Sequence, residues 1–137
     1  MQEGESVRIQ TRDVDEKTAV CRASGELDAY TAPELRDALA ALVEQGRSWI
    51  VADLTELTYL DSTGRGILVG TAKQCRQAGG DLAVACARKN LLRIFQISGT
   101  QEILNVVADV EAATARLAEL CDTQAADSDE EATSDGR

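Results

Sequence analysis

The chain has 137 residues, 44% of them apolar and only 3% aromatic, enough for one domain with an aliphatic core and no need of disulfides or metals. Its formal charge of -10 is divided between a moderately acidic body and a tail from Asp122 onward, in which six acids face one arginine. That balance argues against direct binding of nucleic acid and against attraction to anionic lipid, since neither gains from meeting negative charge, and favours a protein partner.

Taken in chain order, MQEGESVRIQ has no basic region leading into an apolar stretch, and no later segment has the length of a membrane span, so a cytoplasmic protein is expected. Val7 to Arg12 and Thr18 to Ser24 are β-branched segments around the polar turn Asp13 to Lys17 and predict an antiparallel hairpin. In GELDAYTAPELRDALAALVEQG, Thr31 and Glu34 have capping-box spacing and Pro33 lies in the first turn. Leu35, Ala38, Leu39, Leu42 and Val43 then share one helical face, which Gly46 ends.

WIVADL, from Trp49 to Leu54, is the continuous apolar run of a strand covered on both faces. LTYLDSTGRGILVG follows, and its second half continues as a helix to Gly79 and Gly80. DLAVACA is another buried strand; Asn90 to Gln96 predicts a short helix ended near Gly99, and Glu102 to Val107 a last strand. Val110, Ala113, Leu117 and Leu120 mark a final amphipathic helix, and the acidic remainder is expected to be disordered.

The order ββαβαβαβα predicts an α/β fold: a mixed sheet of about five strands, opened by the antiparallel hairpin, with about four helices. The expected division is a domain at 1–121 and a disordered tail at 122–137. Cys21, Cys75, Cys86 and Cys121 form no C-x-x-C pair and histidine is absent, so no metal site is expected and the cysteines read as core thiols. Trp49, Phe95, Tyr30 and Tyr59 are expected as local features of the core.

Loops at the carboxyl ends of parallel strands carry function in such folds, which singles out Asp61 to Gly66. Gly64 and Gly66 do not complete G-x-G-x-x-G, because Val69 holds its third position, and no P-loop occurs. A hydrolytic Ser62 lacks both a histidine base and the G-x-S-x-G elbow. The D-S-T-G run has one residue too many for an aspartic protease and no matching half, so no catalytic residue or cofactor is expected. What remains is a hydroxyl at a helix start. Either Ser62 caps the helix, or it accepts a phosphoryl group from another protein, with the helix N-terminus favouring added negative charge and Gly64 leaving space for approach.

LDSTGRGILVG, preceded by GELDAYTAPELRDAL and followed by ILNVV, resembles the STAS-domain anti-sigma factor antagonists of bacteria, particularly the actinobacterial kind, from about Val7 to Leu120. The resemblance implies the STAS fold and a partner that is both anti-sigma factor and serine kinase of the histidine-kinase-like ATPase fold. Binding that partner releases a sigma factor. It also implies phosphorylation of Ser62 by the kinase, reversal by a serine phosphatase, and a partner surface that includes Asp61 and the loop of Glu26 and Asp28. Thr63 is a second candidate hydroxyl, and Gly64 and Arg65 complete the expected surface. Many relatives carry leucine at position 65, so Arg65 is either an ordinary helix residue or a charge that tunes partner choice or meets the phosphate. Two alternatives remain open: a STAS scaffold or transporter-associated module without phosphorylation, and a nucleotide-binding or hydrolytic protein using the same loop.

Overall fold

The computed structural model describes residues 7–135, with side chains as far as Thr123. The β1 strand (Val7–Asp13) and β2 (Thr18–Leu27) form the expected hairpin, paired antiparallel from Val7 opposite Gly25 to Asp13 opposite Ala19. Its turn is held by Asp15, whose Oδ1 accepts from the Lys17 and Thr18 amides at 2.9 and 2.8 Å. The α1 helix (Ala32–Glu44) buries Leu35, Leu39 and Leu42 and reverses past Gly46, at φ 93°.

The strands β3 (Trp49–Asp53) and β5 (Asp81–Ala85) are wholly buried and pair in parallel, as their unbroken apolar runs predict. Between them lie β4 (Leu57–Leu60) and α2 (Ser62–Gln77). After β5 come α3 (Lys89–Ser98), β6 (Val106–Val107) and α4 (Val110–Asp135). Among the described residues the sheet has six strands in the order β1-β2-β3-β5-β6, with β4 joined to β2 alone. The first half of β2 pairs with β3, and beyond a register shift at Gly25 and Glu26 its second half pairs with β4.

Two expectations about strands are corrected. LTYL, which the order ββαβαβαβα does not count, is a separate strand, because β2 runs ten residues and leaves a second pairing edge that β3 does not fill. The last strand is Val106–Val107 only. Before it the chain turns, with Leu104 buried and Asn105 in the left-handed region at φ 50°, where asparagine is tolerated. The Asn105 side-chain amide donates to the Leu82 carbonyl at 2.9 Å, which ties that turn to β5.

One face of the sheet, with Ala19, Cys21, Ile50, Ala52, Leu82 and Val84, packs on α1, α2 and α3. The other, with Val20, Trp49, Val51, Ala83 and Ala85, packs on Ala113 and Leu117 of α4. The backbone of α4 is described to Asp135, within the segment expected to be disordered; the side chains from 124 and residues 136–137 lie outside the described residues, as do residues 1–6.

Cys21, Cys75 and Cys86 are core thiols, whereas Cys121 is exposed, because by that point α4 has reached the β1–β2 turn at the end of the sheet. Burial pushes the Cys21 and Cys75 thiols up to about 12. At pH 8 a thiol reagent is therefore expected to modify one cysteine of the native chain rapidly and all four after unfolding. Mass spectrometry of the labelled chain checks this, and rapid modification of a second cysteine in the native state contradicts it.

Candidate functional site

The site lies where β2 and β4 end side by side. Glu26 is opposite Tyr59 and Leu27 opposite Leu60, and the Asp61 amide donates to the Leu27 carbonyl at 3.2 Å. The pairing brings the Glu26–Asp28 loop beside the start of α2, so Glu26, Asp28, Asp61, Ser62 and Thr63 share one end of the sheet. The other edge of β4 is braced by α3, since Arg88 Nε donates to the Leu57 carbonyl at 2.8 Å and Asn90 Nδ2 to the Thr58 carbonyl at 3.3 Å. Neither residue had a signal in the sequence, because each acts on a backbone carbonyl some thirty positions away.

Asp61 is the residue that caps α2. Its Oδ1 accepts from the Thr63 and Gly64 amides at 3.0 and 3.1 Å, and its carbonyl accepts from the Arg65 amide at 3.1 Å. Ser62 is thereby placed at the first helical position, exposed, and its hydroxyl makes no hydrogen bond among the described residues. This decides one question the sequence leaves open: the capping oxygen belongs to the acid, and the serine hydroxyl is left free. Thr63 is also exposed and Arg65 is half-buried.

Gly64 differs from expectation. It is buried, and a Cβ there would stand 2.7 Å from methyl carbons of both Leu27 and Leu60. The missing side chain lets α2 sit close on the ends of β2 and β4, so it serves internal packing and opens no space to a partner.

The capping-box expectation for α1 is corrected too. Thr31 occupies the N-cap position but makes no side-chain capping bond. Its hydroxyl turns back instead, donating to the Glu26 carbonyl at 3.0 Å and accepting from the Asp28 amide at 2.9 Å. Asp28 supplies the acceptors for the helix start: its Oδ1 takes the Tyr30 and Thr31 amides, both at 3.0 Å, and its carbonyl takes the Ala32 amide at 2.8 Å. The bonds to the carboxylate, that from the Thr31 amide first, hold the Asp28 carboxyl below its ordinary 3.8. Its contribution to loop stability is complete above that value and is lost as the pH falls through the lower value of the folded state. Asp28 and Asp61 thus do the same local work on adjacent loops, and Glu26 remains as an exposed acid beside them.

The aromatic residues divide differently from expectation. Trp49 and Phe95 are buried, but Tyr30 is 93% exposed and Tyr59 47%. Tyr59 lies in a four-residue strand whose two leucines take the buried positions, and Tyr30 is carried on the Asp28 turn above any packing neighbour.

The family described as "STAS domain" matches residues 8–113, which is most of the chain. The chain belongs to the STAS domain family. Within it, this STAS domain belongs with the anti-sigma factor antagonists. It is 40% identical to the anti-sigma-B factor antagonist of Bacillus subtilis over 88 residues, covering 64% of this chain and 80% of that one. It is 40% identical to the anti-sigma-B factor antagonist of Listeria monocytogenes over 103 residues, covering 74% and 87%. Among solved structures, the anti-sigma factor antagonist from Mycobacterium paratuberculosis shares the fold with a TM-score of 0.75 at 24% identity, over 82% of this chain and 95% of that one. The Bacillus cell fate determinant SpoIIAA, solved in its phosphorylated form, has a TM-score of 0.64 at 25% identity, over 80% and 98%. The STAS fold expected from the sequence is the fold observed. No helix among the described residues is long and apolar enough to cross a membrane.

Proposed function

We propose that this STAS domain is an anti-sigma factor antagonist that binds an anti-sigma factor and so releases a sigma factor, and that phosphorylation of Ser62 switches it off. The observation that carries this reading is the exposed Ser62 hydroxyl at the first position of α2, left free because Asp61 takes the capping role. The partner is an anti-sigma factor that is also a serine kinase of the histidine-kinase-like ATPase fold. In the transfer, Ser62 Oγ forms the new bond to the γ-phosphorus of ATP, ADP leaves, and the hydroxyl proton passes to the kinase. A serine phosphatase restores the free hydroxyl. The chain itself is a substrate and binding partner and not an enzyme, acting in the cytoplasm without cofactor or metal. Its charge of -10 speaks against nucleic acid or anionic membrane as a direct partner.

Within this reading Asp61 positions Ser62 and adds an acid to the contact surface, while Glu26, Asp28, Thr63 and Arg65 surround it. The domain is 1–121, and 122–137 is an acidic tail outside it. The test is recovery of the anti-sigma factor from extract of the native organism on the full chain, then incubation of the purified pair with ATP and mapping of phosphate by mass spectrometry. Phosphate is expected on Ser62 of the wild type, whereas Ser62→Ala still binds but accepts no phosphate, on Thr63 or elsewhere. Phosphorylation of Ser62→Ala to the wild-type extent rejects the site, and binding that is indifferent to ATP marks a scaffold that does not cycle.

A further inference from the structure

The chain has two tyrosines, and both are on the surface in the segments that the β2–β4 pairing brings to the end of the sheet where α2 starts. In a chain with four aromatic residues, Trp49 and Phe95 go to the interior while Tyr30, at 93% exposure, and Tyr59, at 47%, do not. An exposed ring leaves about 150–250 Å² of surface that a partner protein is able to bury. The placement of the two rings follows from the strand pairing. Tyr59 stands opposite Glu26 and three residues before Ser62; Tyr30 lies three residues beyond Leu27, whose carbonyl accepts from the Asp61 amide.

The mount of Tyr30 is rigid. Its own amide is held by Asp28 Oδ1 at 3.0 Å, and the following Thr31, 5% exposed, is bonded to both Asp28 and Glu26. The backbone beneath the ring is therefore fixed before any partner arrives, and docking orders only two side-chain torsions. Tyr59 is fixed in a similar way, since its strand is paired to β2 on one edge and braced by Arg88 and Asn90 on the other. Rigidly presented tyrosines around a central contact have the character of interface hot spots.

Resting on the reading of Ser62 as phosphoryl acceptor, we propose that Tyr30 and Tyr59 are the aromatic anchors by which the anti-sigma partner docks over Ser62, Tyr30 being the stronger. The partner presents an apolar socket to each ring, with a polar group at the phenol oxygen. The rings determine which partner is bound and how it is oriented, while Asp61 and Ser62 report the phosphorylation state.

The experiment uses the full chain and the anti-sigma factor recovered with it, measured by calorimetric titration and by steady-state phosphorylation. Tyr30→Ala is expected to raise Kd at least 30-fold and Tyr59→Ala about 10-fold, with KM for phosphorylation rising in parallel and kcat unchanged within twofold. Tyr30→Phe retains most of the affinity. Val14→Ala, which trims the exposed Val14 on the turn at the far end of the sheet, changes Kd by less than twofold. Thermal unfolding of every variant stays within a few degrees of the wild type, so a loss of binding is not a loss of fold. If Tyr30→Ala binds within threefold of the wild type while Ser62→Asp loses binding, the anchors are rejected and the phosphorylation switch stands. If the wild type recovers no anti-sigma factor, the switch falls and the anchoring role with it. Self-association of the wild type that Tyr30→Ala abolishes assigns the rings to a second copy and also overturns the proposal.

Discussion

Gly80→Ala is expected to destabilise the domain by more than about 3 kcal/mol, seen as a lower midpoint in urea unfolding. A Cβ at Gly80 would lie 1.9 Å from the Ser48 carbonyl oxygen and 2.5 Å from its carbon. Those are backbone atoms, so no side-chain rotation relieves the contact. Either β3 or β5 has to move, and the Asp81 amide then loses its 3.0 Å bond to the Ser48 carbonyl. Because β3 and β5 are the fully buried strands at the middle of the sheet, the movement spreads into both core layers. The loss is large against the roughly 5–15 kcal/mol that holds a domain together. Gly66→Ala and Gly70→Ala serve as controls. Nothing lies within 4 Å of a Cβ at either position, and each should stabilise α2 by about 0.5–1 kcal/mol. A Gly80→Ala midpoint equal to that of the controls rejects the steric account.

The pattern of apolar residues carries the sheet and the two core layers on its faces. WIVAD and DLAVA read as covered strands because they are covered, and the face of Leu35, Leu39 and Leu42 is the face α1 buries. The misreadings fall where a few residues depend on a distant partner. LTYL is strand-like but too short to be counted as a strand of the sheet from its own four residues, and its pairing edge exists only because β2 continues past a register shift. Ile103 and Leu104 look like strand, but the chain has to turn at Asn105 to bring Val106 opposite Val84. Cys121 continues the helical spacing of Leu117 and Leu120 while the sheet beneath it ends.

At the start of α2 the sequence marks the junction but not the division of labour among its residues. The D-S-T-G run marks a helix start after a strand, yet the spacing does not say whether the acid or the serine caps, and geometry gives that bond to Asp61. Glycine beside a reactive hydroxyl suggests space for a partner, whereas Gly64 is spent on Leu27 and Leu60 beneath it. The two tyrosines are expected inside because aromatics are scarce in a chain of this size, whereas the turn at Asp28 carries Tyr30 outward and the buried leucines at both ends of β4 leave Tyr59 at the surface.

Ser62→Asp is expected to weaken the complex with the anti-sigma factor by more than a hundredfold, and phosphorylated Ser62 at least as much. For a complex of micromolar affinity, worth about 8 kcal/mol, that is a loss of about 3 kcal/mol. The change in charge supplies it. A phosphate adds roughly -1.5 to -2 beside the Asp61 carboxylate, whose Oδ1 already holds the Thr63 and Gly64 amides, so the nearest helix donors are taken. Burying that charge against a surface shaped for a neutral hydroxyl leaves it without compensation. The fold should not change with it, since an acid at the first helical position is favoured by the helix dipole by about 0.3–1 kcal/mol, offset by repulsion from Asp61. Equal unfolding midpoints for wild type, Ser62→Ala and Ser62→Asp, with binding lost only in the last, place the switch in the interface. If Ser62→Asp binds like the wild type, charge at this position does not control the complex. If it binds weakly only because it unfolds, the helix start and not the contact surface is what phosphorylation disturbs.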